Sequence, residues 1–225
     1  MAVENFDSQQ YQNKSFSKAE QERDLELPIL AYKKEIQEMI SQNPTSIIVG
    51  ETGSGKTTRI PLFLLETLEP DKKIAITQPR RVAARSVARF VADQVHCQVG
   101  EDVGYQVRFD DHTTEGTRIN FMTDGILLRK IQEDQLLLDY EAVMVDEAHE
   151  RSLNIDFALS LLKQLQKKRL EANVKPLKII VSSATLEKEK FASYFSASPL
   201  LEVPGRLYPV DIHYEAERPR DYTEA

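Results

Sequence analysis

Residues 50–57 read Gly-Glu-Thr-Gly-Ser-Gly-Lys-Thr, and this octapeptide constrains the fold more than any other feature of the chain. It follows a short apolar stretch, residues 46–50, and precedes a helical pattern over residues 55–68. The pattern G-x-x-x-x-G-K-[ST] between a strand and a helix is typical of a loop whose backbone N–H groups surround a phosphate chain. The sequence therefore predicts an α/β protein that binds a nucleotide.

The chemistry of the loop assigns roles to its side chains. We expect the Lys56 amine to reach the β- and γ-phosphates and the Thr57 hydroxyl to ligate Mg²⁺. A glycine-rich turn with an incidental lysine is the alternative, but the position between strand and helix favours phosphate binding. The expected ligands are ATP or ADP with Mg²⁺, and the expected contacts are Gly50, Glu51, Thr52, Gly53, Ser54, Gly55, Lys56, Thr57 and Thr58.

Strand-like and helix-like segments alternate along most of the chain. After a helical stripe over 28–43, strands are predicted over 46–50, 73–77, 104–109, 117–122, 142–146, 177–182, 200–203 and 210–214. Helices are predicted over 55–68, 81–95, 124–132, 156–170 and 187–194. Such alternation, with several strands apolar throughout, indicates one doubly wound, mainly parallel sheet with helices on both faces. Ligands of such sheets bind at the carboxyl ends of the strands.

A second cluster of functional residues stands at one of those strand ends. The apolar residues 143–145 lead directly into Asp146, Glu147, Ala148 and His149. A carboxylate after an apolar strand is what phosphate-loop NTPases use to hold Mg²⁺, so Asp146 is the expected metal ligand and Glu147 the expected base for water. An acidic helix N-terminus is the alternative. Together with the loop at 50–57, the catalytic interpretation is favoured.

Five segments in order resemble the signature motifs of the DEAH-box helicase family. They are residues 77–84 (Thr-Gln-Pro-Arg-Arg-Val-Ala-Ala), 123–129 (Thr-Asp-Gly-Ile-Leu-Leu-Arg), 146–151 (Asp-Glu-Ala-His-Glu-Arg), 183–185 (Ser-Ala-Thr) and 203–210 (Val-Pro-Gly-Arg-Leu-Tyr-Pro-Val). Residues 104–109 also resemble a strand of that family. The resemblance implies one RecA-like phosphate-loop NTPase lobe over residues 27–225, after a flexible arm over 1–26. We expect the family's second lobe to be absent.

The resemblance also implies roles for residues outside the nucleotide site. Residues matching Arg80, Arg81, Thr123 and Asp124 lie along the nucleic-acid backbone in that family. Those matching Ser183 and Thr185 couple nucleotide state to strand movement, with His149 in the same relay. Capping of the next turn is the alternative for Ser183 and Thr185.

The helix predicted over residues 81–95 has its own features. Arg81, Arg85 and Arg89 recur every four residues and form a basic stripe, for which a solvated charged face is the alternative. The sequence departs from the family at Phe90, where an arginine that stacks on adenine is usual. Phe90 could stack on a base itself or pack into the protein.

Bulk composition narrows the functional classes. A net charge of −7 argues against a protein that coats nucleic acid, so any such contact needs a local basic surface. A single cysteine, Cys97, agrees with a reducing compartment, and no apolar run is long enough to cross a bilayer. His96, His112 and His213 lack partners at metal-ligand spacing. We expect an intracellular protein, cytoplasmic or nuclear, that does not bind membranes.

The resemblance thus predicts the ATP-binding lobe of an ATP-dependent RNA helicase of DEAH-box type. The expected partners are single-stranded RNA and a second helicase lobe, with an activator protein as a further candidate. Hydrolysis and unwinding would need the second lobe, because its arginines reach the γ-phosphate in that family. The alternative is a stand-alone nucleotide-dependent module that binds RNA or protein without helicase activity. A small-molecule kinase would leave the helicase-like segments unexplained.

Overall fold

An 8-stranded sheet forms the centre of the protein in a computed structural model that describes residues 27–69, 71–184, 194–195 and 198–205. Its strands are β1 (Thr45–Gly50), β2 (Lys73–Gln78), β3 (Val103–Val107), β4 (Asp110–His112), β5 (Ile119–Thr123), β6 (Tyr140–Val145), β7 (Lys178–Ser183) and β8 (Leu200–Val203). The α-helices are α1 (Lys33–Gln42), α2 (Lys56–Leu65), α3 (Arg81–Gln94), α4 (Asp124–Glu133) and α5 (Leu153–Glu171). Short 3₁₀ helices span Pro28–Tyr32 and Ala148–Glu150.

The strand order confirms the predicted doubly wound α/β fold. Across the sheet the strands run β4-β3-β5-β2-β6-β7-β1-β8, and every neighbouring pair is parallel except β3 with β4. The consecutive strands β1 and β2 lie apart, with β6 and β7 between them. Reversals of this kind open a crevice at the carboxyl ends of the strands, where such sheets bind ligands.

Alternate strand residues enter two separate cores, one on each face of the sheet. Ile48 and Ile76 pack with residues of α1, α2 and α3 on one face. Ile47 and Ala75 pack with residues of α4 and α5 on the other. Because both faces are covered by helices, the central strands are buried along almost their whole length instead of alternating between buried and exposed residues.

The phosphate-loop segment requires glycine for packing as well as for conformation. Gly55 has φ +95°, and a Cβ there would lie 2.9 Å from Cγ2 of Ile29. Ile29 belongs to the 3₁₀ helix Pro28–Tyr32, and its N–H donates to the Ser54 carbonyl at 3.2 Å. The segment before α1 therefore supports the loop directly.

Several element boundaries differ from the sequence predictions; for example, the helix predicted over 55–68 ends at Leu65, and the strand predicted over 117–122 spans Ile119–Thr123. The strand predicted over 104–109 ends at Val107, and Arg108 and Phe109 form the turn of a hairpin whose second arm is β4. The turn lacks glycine or asparagine, so no local signal marks it. Helix α5 begins at Leu153, before the predicted residue 156, because the Ser152 hydroxyl caps it by accepting from Ile155 N–H.

Some predictions concern residues outside the described part of the chain. These are the arm over 1–26, the strand over 210–214 and, apart from Tyr194, the helix over 187–194. None of the helices in the described ranges combines the length and the apolar character needed to cross a membrane.

Candidate nucleotide site

The predicted site residues cluster at one edge of the sheet. The phosphate loop follows β1, Asp146 follows β6 and Ser183 ends β7, and these three strands are neighbours. Arg80 follows β2 and Thr123 ends β5, the next pair of strands across the sheet. Parallel strands bring all these carboxyl ends together, so the site follows from the strand order.

Lys56 lies inside the curl of the phosphate loop. Its Nζ donates to the carbonyls of Gly50 at 2.5 Å and Glu51 at 2.9 Å, and to the Ser54 hydroxyl at 3.2 Å. The side chain is only 7% exposed, and burial lowers the pKa of its ammonium, while Asp146, Glu147 and Glu51 oppose that shift. The three oxygens that accept from Lys56 are uncharged, so a phosphate would supply a negative charge in direct contact with this buried cation.

The carboxylate of Asp146 joins the loop to the neighbouring strands. Its Oδ2 accepts from the Thr57 hydroxyl at 2.5 Å and from Nε2 of Gln78 at 2.6 Å. Asp146 is 1% exposed, and its Oδ1 has no hydrogen-bond partner among the described residues. A buried, orphaned carboxylate oxygen beside a threonine hydroxyl fits a hard cation such as Mg²⁺.

The oxygen atoms of Thr57 and Asp146 also suit a cation that a bound nucleotide helps to coordinate. Within residues 27–69, 71–184, 194–195 and 198–205, no group of three or more His, Cys, Asp or Glu side chains could hold a metal ion. Mg²⁺ usually takes one or two carboxylates and completes its shell with water and substrate phosphates. Thr57 and Asp146 fit the protein's share of such a shell.

Glu147 stands in a strained backbone conformation at the end of β6. Its φ is +51°, which is uncommon for a residue other than glycine and persists only where the surrounding structure fixes it. Its carboxyl is partly buried, and burial raises its pKa, with the neighbouring Asp146 adding to the shift. A carboxylate with a raised pKa is a better proton acceptor near neutral pH than an ordinary glutamate.

His149 connects Glu147 with the end of β7. Its Nδ1 accepts from the Ala184 N–H at 3.2 Å, which puts the proton of a neutral imidazole on Nε2. The same nitrogen lies 3.4 Å from Oε2 of Glu147. Nδ1 cannot accept from Ala184 and donate to Glu147 at the same time, so the two contacts exclude each other. Ser183 beside it is fully buried, and Thr185 lies outside the described residues.

The arginines predicted for nucleic acid lie on the surface beside the nucleotide site. The side chain of Arg80 is 77% exposed and pairs with Glu150 at 3.4 Å, and Arg81 opens α3 as an exposed residue. One turn later Arg85 forms an ion pair with Asp110. Phe90 is 50% exposed, so it lies outside the core that the rest of α3 enters.

Thr123 and Asp124 form the start of α4, and they differ in exposure. Thr123 is partly exposed, whereas Asp124 is only 3% exposed. Burial raises the pKa of Asp124, the Thr77 hydroxyl opposes the shift, and Glu150 and Asp146 add to it. Its Oδ1 has no hydrogen-bond partner among the described residues. The part of this segment open to a ligand is therefore Thr123 and the helix N-terminus.

Two further residues at this edge of the sheet, Gln78 and Phe109, were not predicted as site residues. Gln78 donates to Asp146, and its position at the end of an apolar run was the one sequence feature that could have indicated a role in the site. Phe109 is 91% exposed with φ +66°, and the Arg108 guanidinium lies 4.8 Å from its ring centre. No local pattern marks Phe109, because the sequence places it inside a strand.

Comparison with known families supports the chemistry of this edge. The family described as DEAD/DEAH box helicase has a model that matches residues 11–192. The match covers most of the chain, including the phosphate loop and residues 146–149. Its description includes both the DEAD and the DEAH variants of the second motif.

Proposed function

Because the chain belongs to the DEAD/DEAH box helicase family, we propose that it is the ATP-binding lobe of a DEAH-box RNA helicase. The Asp-Glu-Ala-His sequence at residues 146–149 supports the subtype. The domain over residues 27–225 binds Mg-nucleotide and part of the RNA backbone, and hydrolysis and unwinding need a second lobe.

The contact between Thr57 and Asp146 carries the nucleotide assignment. It brings the phosphate loop and the metal carboxylate to one partly buried point, with Oδ1 of Asp146 left for a cation. In this proposal Lys56 exchanges its loop carbonyls for the β- and γ-phosphates when the nucleotide enters. Mg²⁺, when bound, would neutralise charge on the phosphate oxygens and orient them.

Glu147 is the proposed general base of hydrolysis. Its carboxylate accepts a proton from water as the water oxygen bonds to the γ-phosphorus. The bond between the γ-phosphorus and the β,γ-bridging oxygen breaks, and that oxygen stays on the β-phosphate of ADP. The products are ADP and inorganic phosphate. Burial beside Asp146 raises the proton affinity of Glu147 and so favours this step. The contact of His149 with Ala184 links the same segment to β7.

Arg80, Arg81 and the N-terminus of α4 at Thr123 are the proposed contacts to the RNA backbone. Both arginines are exposed, and the helix N-terminus favours anions. Phe109 offers a stacking surface near these arginines. Arg85 lies one helical turn after Arg81, and its ion pair with Asp110 holds the hairpin turn that contains Phe109 close to α3. Aromatic side chains stack on bases of single strands with little sequence preference.

Equilibrium binding and turnover together test the proposal. With Mg-nucleotide present, fluorescence anisotropy should show weak binding of a labelled single-stranded RNA, with a shallow dependence on salt. ATP turnover should be slow in this lobe and rise with RNA in the protein joined to a second lobe. Tight, sequence-selective RNA binding by this lobe, without turnover in the two-lobed protein, would instead support the stand-alone binding module. A single-stranded DNA of the same sequence tests the preference for RNA.

A further inference from the structure

Gln78 lies at the boundary between two groups of strand ends. On one side, β5 and β2 end at the proposed RNA contacts, and on the other, β6, β7 and β1 end at the nucleotide site. Thr77 is paired with Val145 across the boundary between β2 and β6, so Gln78 and Asp146 are the next residues of adjacent strands. Gln78 is also paired with Thr123 of β5.

The amide of Gln78 fixes the orientation of the metal carboxylate. Its Nε2 donates to Oδ2 of Asp146 at 2.6 Å, and the Thr57 hydroxyl donates to the same oxygen. Gln78 and Asp146 are 3% and 1% exposed, so water does not compete freely for this contact. Two donors on Oδ2 leave Oδ1 for a cation, and hydrogen bonds of this kind orient metal ligands.

The backbone of Gln78 leads directly to the proposed RNA contacts. Pro79 follows it, and Arg80 and Arg81 come next. The proline ring fixes its own φ and confines Gln78 to extended conformations, so the segment has few soft torsions. Arg80 also pairs with Glu150, four residues after Asp146. A displacement of Arg80 would therefore reach the metal carboxylate through a short and stiff path.

We propose that Gln78 is a positioning residue that couples RNA contact at Arg80 and Arg81 to metal binding at Asp146. This inference rests on the proposed function, because it assumes Mg-nucleotide at Asp146 and RNA at the arginines. Coupling between sites is reciprocal, so RNA should strengthen Mg-nucleotide binding by the same factor by which Mg-nucleotide strengthens RNA binding. Loss of the amide donor should reduce both effects together.

Gln78→Leu tests the inference because it removes the donor and keeps a side chain of similar size. The affinity for a fluorescent ADP is measured in EDTA and across a Mg²⁺ titration, and RNA affinity is measured with and without Mg-ADP. We expect ADP affinity in EDTA to stay within about twofold of wild type, because the phosphate loop is intact. The Mg²⁺ concentration needed for half-maximal enhancement of ADP binding (the Mg²⁺ requirement) should rise about 10-fold, as for other residues that orient metal ligands. The factor by which Mg-ADP changes RNA affinity should fall towards one.

Gln106→Leu is the matched control, since Gln106 of β3 donates to Asp111 at 2.6 Å, away from the nucleotide site. It should leave the Mg²⁺ requirement and the coupling unchanged. A wild-type Mg²⁺ requirement and coupling in Gln78→Leu would overturn the inference. If thermal melting shows that the leucine variant is unfolded, Gln78→Met is used in its place. The same results would then support or overturn the inference. If the wild-type protein itself binds no Mg-ADP, the proposed function fails instead.

Discussion

Thr57 and Asp146 are 89 residues apart in the chain, and they meet where the threonine hydroxyl donates to Oδ2 of the aspartate. The phosphate loop follows β1 and the aspartate follows β6, and β7 lies between those two strands. The contact therefore spans two strand spacings and depends on the parallel arrangement of all three strands. It places the two halves of the proposed magnesium site on rigid elements before any ligand binds, which limits the ordering cost of binding.

Lys56→Ala should abolish most of the stabilisation that Mg-ADP gives. The lysine is the buried cation of the loop, so its removal takes away the charge that would meet the phosphates. At 100 times Kd, a ligand stabilises by about 2.7 kcal/mol, which raises the Tm of a domain this size by about 5–10 °C. Thermal melts with and without Mg-ADP measure the shift. Lys72→Ala, at a lysine that pairs with the adjacent Asp71, should keep it. A Tm shift of wild-type size in the Lys56 variant would show that the loop does not bind the nucleotide.

Glu147→Gln should separate binding from catalysis. Asp146 and Thr57 still hold the cation, so nucleotide affinity should remain close to wild type. RNA-stimulated turnover in the two-lobed protein should fall about 10²–10⁴-fold, because general-base catalysis contributes about that much. Wild-type turnover should itself decline as pH falls through the raised pKa of Glu147, because the protonated carboxyl cannot accept a proton. A variant that hydrolyses ATP at the wild-type rate would exclude Glu147 as the base.

Asp124→Asn should stabilise the protein at neutral pH. Burial raises the pKa of Asp124 above its ordinary value of 3.8, so the folded state disfavours the charged form. Stability from this group is fully present below pH 3.8 and is lost as pH rises through the raised folded pKa. The asparagine cannot ionise, so it avoids that loss. Denaturant unfolding at pH 7 and near pH 4 should show a gain for Asp124→Asn that shrinks in acid.

The control for this comparison is Asp71→Asn, at a side chain that is 73% exposed. Its free energy of unfolding should follow wild type at both pH values. If Asp124→Asn were less stable than wild type at pH 7, the carboxylate would be making a favourable contact that outweighs its desolvation.

Replacement of Arg80 and Arg81 by alanine should weaken RNA binding and make it less dependent on salt. For every phosphate that an arginine no longer neutralises, the slope of log K against log salt should become shallower by about 0.7 on a single strand. Arg129→Ala serves as the control, because Arg129 is an exposed arginine of α4 that pairs with Glu133. Anisotropy titrations over a range of salt give both slopes. Equal slopes for the double variant and wild type would place the RNA contact elsewhere.

The sequence was sufficient to predict the elements that hold the nucleotide site. Motifs at residues 50–57 and 146–149 have fixed chemistry at strand ends, and each follows a run of apolar residues, 47–49 and 142–145. Such strands belong to a covered parallel sheet, and the parallel sheet puts their carboxyl ends on one edge. The placement of Thr57 and Asp146 on the same edge follows from these two facts, whereas their direct contact also requires that β7 alone separates β1 from β6.

Contacts that depend on strand order could not be predicted in the same way. Gln78 reaches Asp146 because β2 neighbours β6, and no local pattern states which strands are neighbours. The hairpin turn at Arg108 and Phe109 could not be predicted either, since the residues that usually form such turns are absent there. Tertiary pairing of β3 with β4 imposes that turn, and local propensity does not.

The short strand β4 also bears on the behaviour of this protein at high concentration. It forms one margin of the sheet, it is three residues long, and two of its residues are Asp110 and Asp111. The unpaired side of an edge strand is a template for pairing with a strand of another molecule, and short edge strands with charged side chains discourage this. The shortness of β4 and its charged side chains should therefore keep copies of the chain from pairing strand to strand, which protects against aggregation separately from the chemistry at the carboxyl ends.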